Sequence, residues 1–202
     1  MEKNIKINSK DKYLIYGTLN YKFKNSKELI IFVHGLTGHK NEHQFYNATK
    51  LFNKNGFTTF RFDLYSGEKK GRSLTNSTIK THSEDLNSVI NYFKNKFNRI
   101  YLVGHSLGAP TILYANLKPI YSVVLWDPSI NIAKRLEDEL KYNKKINRYI
   151  LSWGTEYLLS KGMLDEWKNL DSRLIEKITK PTKIICAGNG ILYKEWKRYL
   201  SK

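Results

Sequence analysis

One serine in the chain stands where a nucleophile could act, at a sharp change of predicted structure. The run from Ile100 to Val103 is apolar and rich in β-forming residues, and a helical pattern begins a few residues later. Between them lie Gly104-His105-Ser106-Leu107-Gly108. This order predicts a strand, a tight turn and a helix, with glycines at both bracketing positions because side chains there would collide with the strand and the helix. Ser106 would then stand at a helix start, where unpaired N–H groups stabilise an anion forming on a substrate oxygen.

A second motif lies upstream in the order that acyl-transfer chemistry needs. The apolar run Leu29 to Val33 predicts a buried strand, and His34-Gly35-Leu36-Thr37-Gly38 follows it. With both motifs, the chain resembles the α/β-hydrolase family, in particular its small esterase-like and serine-aminopeptidase-like members. The resemblance implies Ser106 as the nucleophile and the N–H groups of Leu36 and Leu107 as the oxyanion hole. It also implies carboxyl-ester substrates of modest size, with amides or thioesters as alternatives.

The order of the remaining elements predicts an α/β fold. Apolar runs and helical patterns alternate, with an antiparallel hairpin over residues 4–24, strands over 29–33, 58–62, 100–103, 121–126 and 181–188, and helices over 43–55, 83–95 and 192–200. Alternation of this kind predicts a mostly parallel sheet with flanking helices, whose ligands bind beyond the carboxyl ends of the strands. Ser106, Leu36, Asp63 and Asp127 all fall at those ends.

The length of 202 residues predicts a single domain over residues 1–202, which the resemblance identifies as an α/β-hydrolase domain. No apolar run approaches the roughly 18 residues that cross a bilayer, and no secretory signal is visible, so a cytoplasmic location is expected. The single cysteine, Cys186, cannot form an internal disulfide. No histidines and carboxylates have the spacing of metal ligands, and no nucleotide-binding loop is present, so no cofactor is expected.

The chain is strongly basic, with 35 Lys and Arg against 18 Asp and Glu and a net charge of +17. Such a charge can attract nucleic acids or anionic membranes. However, the lysines are spread along the whole chain and form no known nucleic-acid motif, which is typical of codon bias in an AT-rich genome. A small-molecule ester is therefore the expected partner, no nucleic acid is expected, and the sequence leaves the oligomeric state open.

The segment from about residue 130 to 178 is charged and aromatic, and its pattern predicts helices. In the resembled family an insertion at this place forms a lid over the active site, so a helical lid is expected. Trp153 or Trp167 would then line an acyl pocket. Alternatively, both indoles fill the seam between the lid and the sheet.

A hydrolase of this type also needs an acid and a histidine after the serine. The family carries its acid in a Gly-x-x-Asp pattern, but the corresponding segment here is Gly188-Asn189-Gly190-Ile191. Asp127 is a possible acid, or else it caps the turn before the lid, a role that aspartate fills well next to a proline such as Pro128. Asp63 is interpreted as a carboxylate that fixes its loop.

The expected histidine would follow one further strand, yet the last of the five histidines is His105. His34 and His105 belong to the two motifs, His43 and His82 are interpreted as surface or loop residues, and His39 is the best internal candidate for the base. Two explanations follow. Either the chain is a C-terminally shortened and catalytically impaired hydrolase that lacks its last strand and catalytic histidine, or it is complete, with an unusual base or a non-catalytic binding role on the same fold.

Overall fold

The computed structural model describes residues 1–129, 136–170, 176–188 and 190–200. The strands are β1 Glu2–Asn8, β2 Leu14–Asn20, β3 Glu28–Val33, β4 Thr58–Phe62, β5 Arg99–His105, β6 Ser122–Trp126, β7 Leu140–Asn143, β8 Arg148–Ser152, β9 Glu156–Leu159 and β10 Thr182–Ile185. The helices are α1 His43–Lys54, α2 Ile79–Phe93, α3 Gly108–Leu113, α4 Lys161–Lys168 and α5 Ile191–Leu200. No helix within these ranges has the length and apolar character needed to cross a membrane.

Seven strands form one sheet in the order β1-β2-β4-β3-β5-β6-β10. Strands β3, β4, β5, β6 and β10 are parallel, whereas β2 is antiparallel to both β1 and β4. The mostly parallel sheet expected from the sequence is therefore confirmed. Its register aligns Val33 with Gly104 and His105 with Trp126, so the loops after β3, β5 and β6 leave the sheet side by side.

Helices cover both faces of the sheet, and alternate side chains of β3 serve the two faces. Ile31 packs in the larger core with Leu86 of α2. Phe32 packs on the opposite face against Phe45 of α1, with 5.5 Å between the ring centroids. A strand covered on both faces has no polar side, which explains why β3 is continuously apolar.

The second long helix begins earlier than the sequence pattern predicts. It starts at Ile79 instead of Ser83, because Thr78 and Thr81 form a reciprocal cap at its N-terminus. The Thr78 hydroxyl accepts the Thr81 N–H at 3.1 Å, and the Thr81 hydroxyl accepts the Thr78 N–H at 2.8 Å. Two threonines in these positions satisfy N–H groups that the first helical turn leaves unpaired.

The prediction of helices over residues 130–178 is wrong for residues 140–159, which form strands, whereas the role of this segment as a lid stays a prediction. Strands β7, β8 and β9 form a separate three-stranded antiparallel sheet, and α4 is the one regular α-helix among the described residues of this segment. Tyr142 lies opposite Tyr149, with 5.0 Å between the ring centroids, and Tyr149 lies opposite Leu159. Cross-strand pairs of large side chains stabilise a sheet. The predicted helical residues 130–135 and 171–175 lie outside the described residues.

Candidate active site

Ser106 has a strained backbone between β5 and α3. Its φ is +51°, a left-handed conformation that is uncommon for a residue with a β-carbon. Its N–H donates to the Trp126 carbonyl at 2.9 Å, and its carbonyl accepts the Ala109 N–H at 3.0 Å. The residue thus turns the chain from the carboxyl end of β5 into a helix, with both backbone groups held.

Glycines surround this turn because no side chain fits there. A β-carbon on Gly104 would lie 2.6 Å from Cδ1 of Ile112, and one on Gly108 would lie 2.3 Å from the Val33 carbonyl oxygen. A β-carbon on Gly35 would lie 3.1 Å from Cβ of Ser106. The structure therefore confirms that side chains at Gly104 and Gly108 would collide with their surroundings. At Gly35, the loop after β3 lies directly beside Ser106.

The loop after β3 is held by a buried, neutral histidine. Leu64 N–H donates to Nε2 of His34 at 2.9 Å, so the His34 proton resides on Nδ1, which donates to the Gly35 carbonyl at 2.7 Å. Burial lowers the pKa of His34 to about 4. His34 therefore supports the loop as a neutral ring, and both of its nitrogens are hydrogen-bonded.

Two backbone N–H groups in the segments around Ser106 have no hydrogen-bond acceptor in the part of the chain that the structure describes. Among the described residues, neither the Leu36 N–H nor the Leu107 N–H has a hydrogen-bond acceptor. Leu36 follows Gly35 in the loop after β3, and Leu107 follows Ser106 in the turn. Unpaired donors of this kind are the usual components of an oxyanion hole.

The hydroxyl of Ser106 is hydrogen-bonded to that of a second serine, which the sequence analysis missed. Oγ of Ser106 lies 2.9 Å from Oγ of Ser129, and the Ser129 N–H donates to the Ser106 carbonyl at 3.2 Å. Ser129 is buried, at 6% exposure. A signal was present, because Ser129 lies just beyond β6, the neighbour of β5 in a parallel sheet.

Asp127 connects two strand ends. Its Oδ1 accepts the Ala187 N–H at 2.7 Å, and its own N–H donates to the Ile185 carbonyl at 2.7 Å. Its φ is +40°. These contacts fit a residue that caps a turn. Among the described residues, no histidine nitrogen is hydrogen-bonded to this carboxylate.

None of the five histidines is hydrogen-bonded to Oγ of Ser106 within the described structure. Nδ1 of His105 lies 3.1 Å from Nε2 of Gln44, and burial lowers the pKa of His105. Nδ1 of His39 accepts the Asn41 N–H at 3.1 Å. His34 is hydrogen-bonded at both ring nitrogens, and His43 is exposed. The interpretation of His82 as a surface or loop residue is wrong, because it is fully buried within α2.

Asp63 fixes the loop after β3 by holding Lys40. Its carboxylate accepts the Lys40 backbone N–H at 2.8 Å and pairs with the Lys40 ammonium at 2.5 Å. These contacts correspond to the loop-fixing role expected for Asp63. A cavity of about 530 Å³ lies here, lined in part by Lys40, Asp63, Tyr65 and Tyr157, and the Tyr65 hydroxyl donates to the Gly35 carbonyl at 3.5 Å.

The two tryptophans considered for an acyl pocket lie in different surroundings. Trp167 of α4 is 1% exposed and packs in the larger core cluster. Trp153 is 42% exposed, and its indole N–H donates to the Glu139 carboxylate. Neither lines the cavity beside the loop after β3, where Tyr157 of β9 takes part instead.

The described residues include no cluster of three or more histidine, cysteine or acidic side chains that could hold a metal ion. At the carboxyl ends of the parallel strands, the site combines a strained serine, two backbone N–H groups without an acceptor among the described residues, and a second serine hydroxyl.

Comparisons with known proteins identify the family and the fold. The family model described as serine aminopeptidase, S33, matches residues 24–180, and no curated protein matches the sequence. The solved structure of Est1E from Butyrivibrio proteoclasticus with bound ferulic acid has a TM-score of 0.79 and 20% identity, covering 96% of this chain and 84% of that one. The esterase Pf2001 of Pyrococcus furiosus has a TM-score of 0.73 and 20% identity, covering 100% of this chain and 77% of that one.

A further similar structure is the α/β hydrolase GrgF from Penicillium sp. sh18, with a TM-score of 0.75 and 13% identity, covering 100% of this chain and 86% of that one. At such identities these similarities show the fold alone, whereas the family model covers most of the chain. The chain therefore has the α/β-hydrolase fold and belongs to the serine aminopeptidase S33 family of hydrolases.

Proposed function

We propose that this hydrolase cleaves carboxyl esters of small acyl compounds, with Ser106 as the nucleophile. The observation that carries the proposal is the positive φ of Ser106, 51°, at a turn where Gly35, Gly104 and Gly108 leave no room for side chains. Strain of this kind persists where a surrounding structure enforces it, and it is typical of functional sites. The esterase activity of the similar structures adds support by analogy of fold.

In the proposed reaction, Oγ of Ser106 forms a bond to the ester carbonyl carbon. The carbonyl oxygen becomes an anion that accepts hydrogen bonds from the N–H groups of Leu36 and Leu107. The bond to the alcohol then breaks, the alcohol leaves with a proton, and an acyl group remains on Ser106. Attack by water on this acyl group releases the acid and restores the serine hydroxyl.

The cavity lined by Lys40, Tyr65 and Tyr157 is the proposed place for the substrate beside the reacting carbonyl. It adjoins the loop that carries Leu36, since the Tyr65 hydroxyl contacts Gly35. A volume of about 530 Å³ suits a small ester. Methyl ferulate is a useful second substrate beside a short nitrophenyl ester, because the Est1E structure contains ferulic acid.

Turnover is expected to be slow, because no described histidine is hydrogen-bonded to the Ser106 hydroxyl. In related chemistry, an oxyanion hole and substrate binding without the triad retain roughly 10³-fold acceleration over water. Formation of a covalent adduct on Ser106 is therefore a more sensitive test than multiple turnover.

The test is reaction of the purified chain with a fluorophosphonate probe, followed by mass spectrometry of the modified peptide. Ser106→Ala is the variant, and Ser88→Ala, which removes a hydroxyl from the α2 helix, is the matched control. We expect a single adduct on Ser106 in the wild type and in the control, and none in Ser106→Ala. Equal labelling of all three proteins would exclude Ser106 as the nucleophile.

A second candidate function is ligand binding without catalysis on the same fold. The observation that favours it is the contact of the Ser106 hydroxyl with Ser129, in place of a described imidazole. Unlabelled Ser106, combined with saturable binding of a short ester or its acid measured by calorimetry, would favour this function over hydrolysis.

A further inference from the structure

We infer that Ser129 is a positioning residue. Its hydroxyl holds and stabilises Oγ of the nucleophile, Ser106. The inference rests on the proposed function for its catalytic meaning. The effect of the Ser129 hydroxyl on the side chain at position 106 can be measured without ester hydrolysis.

The two serines are joined at both backbone and side chain. Their Oγ atoms lie 2.9 Å apart, and the Ser129 N–H donates to the Ser106 carbonyl at 3.2 Å. Two contacts between the same residues fix their relative orientation better than a single contact between hydroxyls. Ser129 is 6% exposed, so little water reaches its hydroxyl to compete for Ser106.

The segment that carries Ser129 is held at each residue. Asp127 binds the backbone of Ala187 and Ile185, and the indole N–H of Trp196 donates to the Pro128 carbonyl at 2.8 Å. These contacts come from the region of β10 and α5, on the side of β6 away from β5. The strained Asp127, with φ +40°, thus belongs to a support for Ser129.

The chemistry of a hydroxyl suits this position. A serine hydroxyl can accept the proton of Ser106 in the resting state, and it can donate its own when negative charge develops on Oγ. In either state Ser129 holds Oγ at one position, and as a donor it also stabilises the anionic form of the nucleophile. Alanine at position 129 would leave Oγ without this partner.

A thiol at position 106 gives a direct measurement. The Ser106→Cys substitution is made in a Cys186→Ser chain, since Cys186 is the other thiol, and iodoacetamide alkylation rates are followed between about pH 6 and pH 10. The thiolate forms the new carbon–sulfur bond and iodide leaves, so the rate reports the thiol pKa. Adding Ser129→Ala should raise this pKa by roughly one to two units, the range of one hydrogen bond to a charged group.

Two comparisons separate this effect from general damage. Ser88→Ala should leave the thiol pKa unchanged, and Ser129→Thr, which keeps a hydroxyl, should restore most of the shift. If Ser129→Ala does not fold, judged by thermal melting, the isosteric pair Ser129→Thr and Ser129→Val makes the same comparison. A thiol pKa that does not depend on the hydroxyl at position 129 would overturn the inference.

In the chain with its native serine, Ser129→Ala should slow fluorophosphonate labelling of Ser106 about tenfold. If wild-type Ser106 is not labelled at all, the proposed function fails, but the thiol pKa still decides the role of Ser129. If Ser106 is labelled equally fast with and without the Ser129 hydroxyl, the proposed function stands and Ser129 has no positioning role.

Discussion

Gly108 packs against the carbonyl group of Val33 so closely that a β-carbon on this glycine would lie 2.3 Å from the carbonyl oxygen. The contact joins the first residue of α3 to the last residue of β3. It places the turn that carries Ser106 against the end of the strand from which the loop with Leu36 leaves. The two segments of the candidate site therefore depend on a position without a side chain.

Gly108→Ala should destabilise the protein by about 3 kcal/mol or more, at the upper end of overpacking costs. The cost is high because the collision is with backbone, which cannot move aside as a flexible side chain can. Urea unfolding midpoints measure it. Gly67→Ala is the matched control, since no atom lies within 4 Å of a β-carbon there, and its effect should stay within about 0.5 kcal/mol. Equal stability of the two variants would show that β3 and α3 can separate without loss.

Asp63→Ala should slow labelling of Ser106 about tenfold while leaving the fold intact, because small misplacements near a reacting centre have effects of this size or larger. The Asp63 carboxylate holds both the backbone and the ammonium of Lys40. Asp63→Asn, which keeps an acceptor for the Lys40 N–H, should give an intermediate rate. Labelling kinetics and thermal melting are measured together, and unchanged kinetics in Asp63→Ala would mean that this carboxylate does not support the loop.

The rate of Ser106 labelling should rise steadily with pH, by up to about tenfold per unit, if solvent hydroxide takes the serine proton. A histidine base with an ordinary pKa near 6.5 would instead give a plateau above about pH 7.5. Labelling rate constants from about pH 6 to pH 9 distinguish the two. A plateau that disappears in His39→Asn would make His39 the base, contrary to its contact with the Asn41 backbone.

The parts of the fold that the sequence predicted are those fixed by local chemistry. Their signals lie within a few neighbouring residues: the apolar run of β3, the glycine pattern around Ser106 and the glycine after α1. That glycine, Gly56, has a positive φ of 92°, which ends the helix. Burial on both faces also makes parallel strands easy to recognise.

The parts that were missed depend on contacts between distant residues. The aromatic and apolar residues of 140–159 fit helical spacing as well as strand spacing, and only the pairing of Tyr142 with Tyr149 and of Tyr149 with Leu159 selects the sheet. Ser129 lies 23 residues from Ser106, and Ala187 lies 60 residues from Asp127. No local pattern specifies such contacts.

A buried arginine connects three parts of the fold outside the candidate site. Arg72 donates to both oxygens of Asp85 at 2.9 and 3.0 Å and to both oxygens of Asp11 at 2.8 Å. Arg72→Met should cost about 3–5 kcal/mol, because it leaves the carboxylate of Asp85 buried without its partner. The double variant Arg72→Met with Asp85→Leu should recover most of this loss in urea unfolding, and no recovery would contradict the explanation.

Asp11 supplies a further check on the same arginine through pH. Hydrogen bonds from Arg72 lower the pKa of Asp11 to about 2. Since the folded-state pKa lies below the ordinary value of about 3.8, the contribution of Asp11 to stability is complete above that value and is lost as pH falls toward 2. Asp11→Asn should flatten the stability curve in this window only. A change confined to neutral pH would be inconsistent with the ion pair.

His82 is a fully buried imidazole whose two ring nitrogens have no hydrogen-bond partner among the described residues. Its ring centroid lies 5.9 Å from that of Tyr65. Burial, followed by the proximity of the His34 ring and the charge of Arg72, lowers the pKa of His82 to about 3. The folded protein therefore keeps this ring neutral at a pH where the unfolded chain protonates it.

Because the unfolded chain takes up this proton near pH 6.5 and the folded chain near pH 3, His82 should reduce stability as pH falls between those values, by up to about 1.4 kcal/mol per pH unit. His82→Leu should make this acid limb shallower by about one proton, with a remaining slope from His34, whose pKa is about 4. It should also stabilise the protein at neutral pH by about 1–2 kcal/mol, because two unsatisfied buried nitrogens are removed. Urea unfolding at a series of pH values tests both effects, with His43→Leu on the exposed face of α1 as control. An acid limb of equal slope in His82→Leu and His43→Leu would mean that His82 is hydrated or partnered in solution.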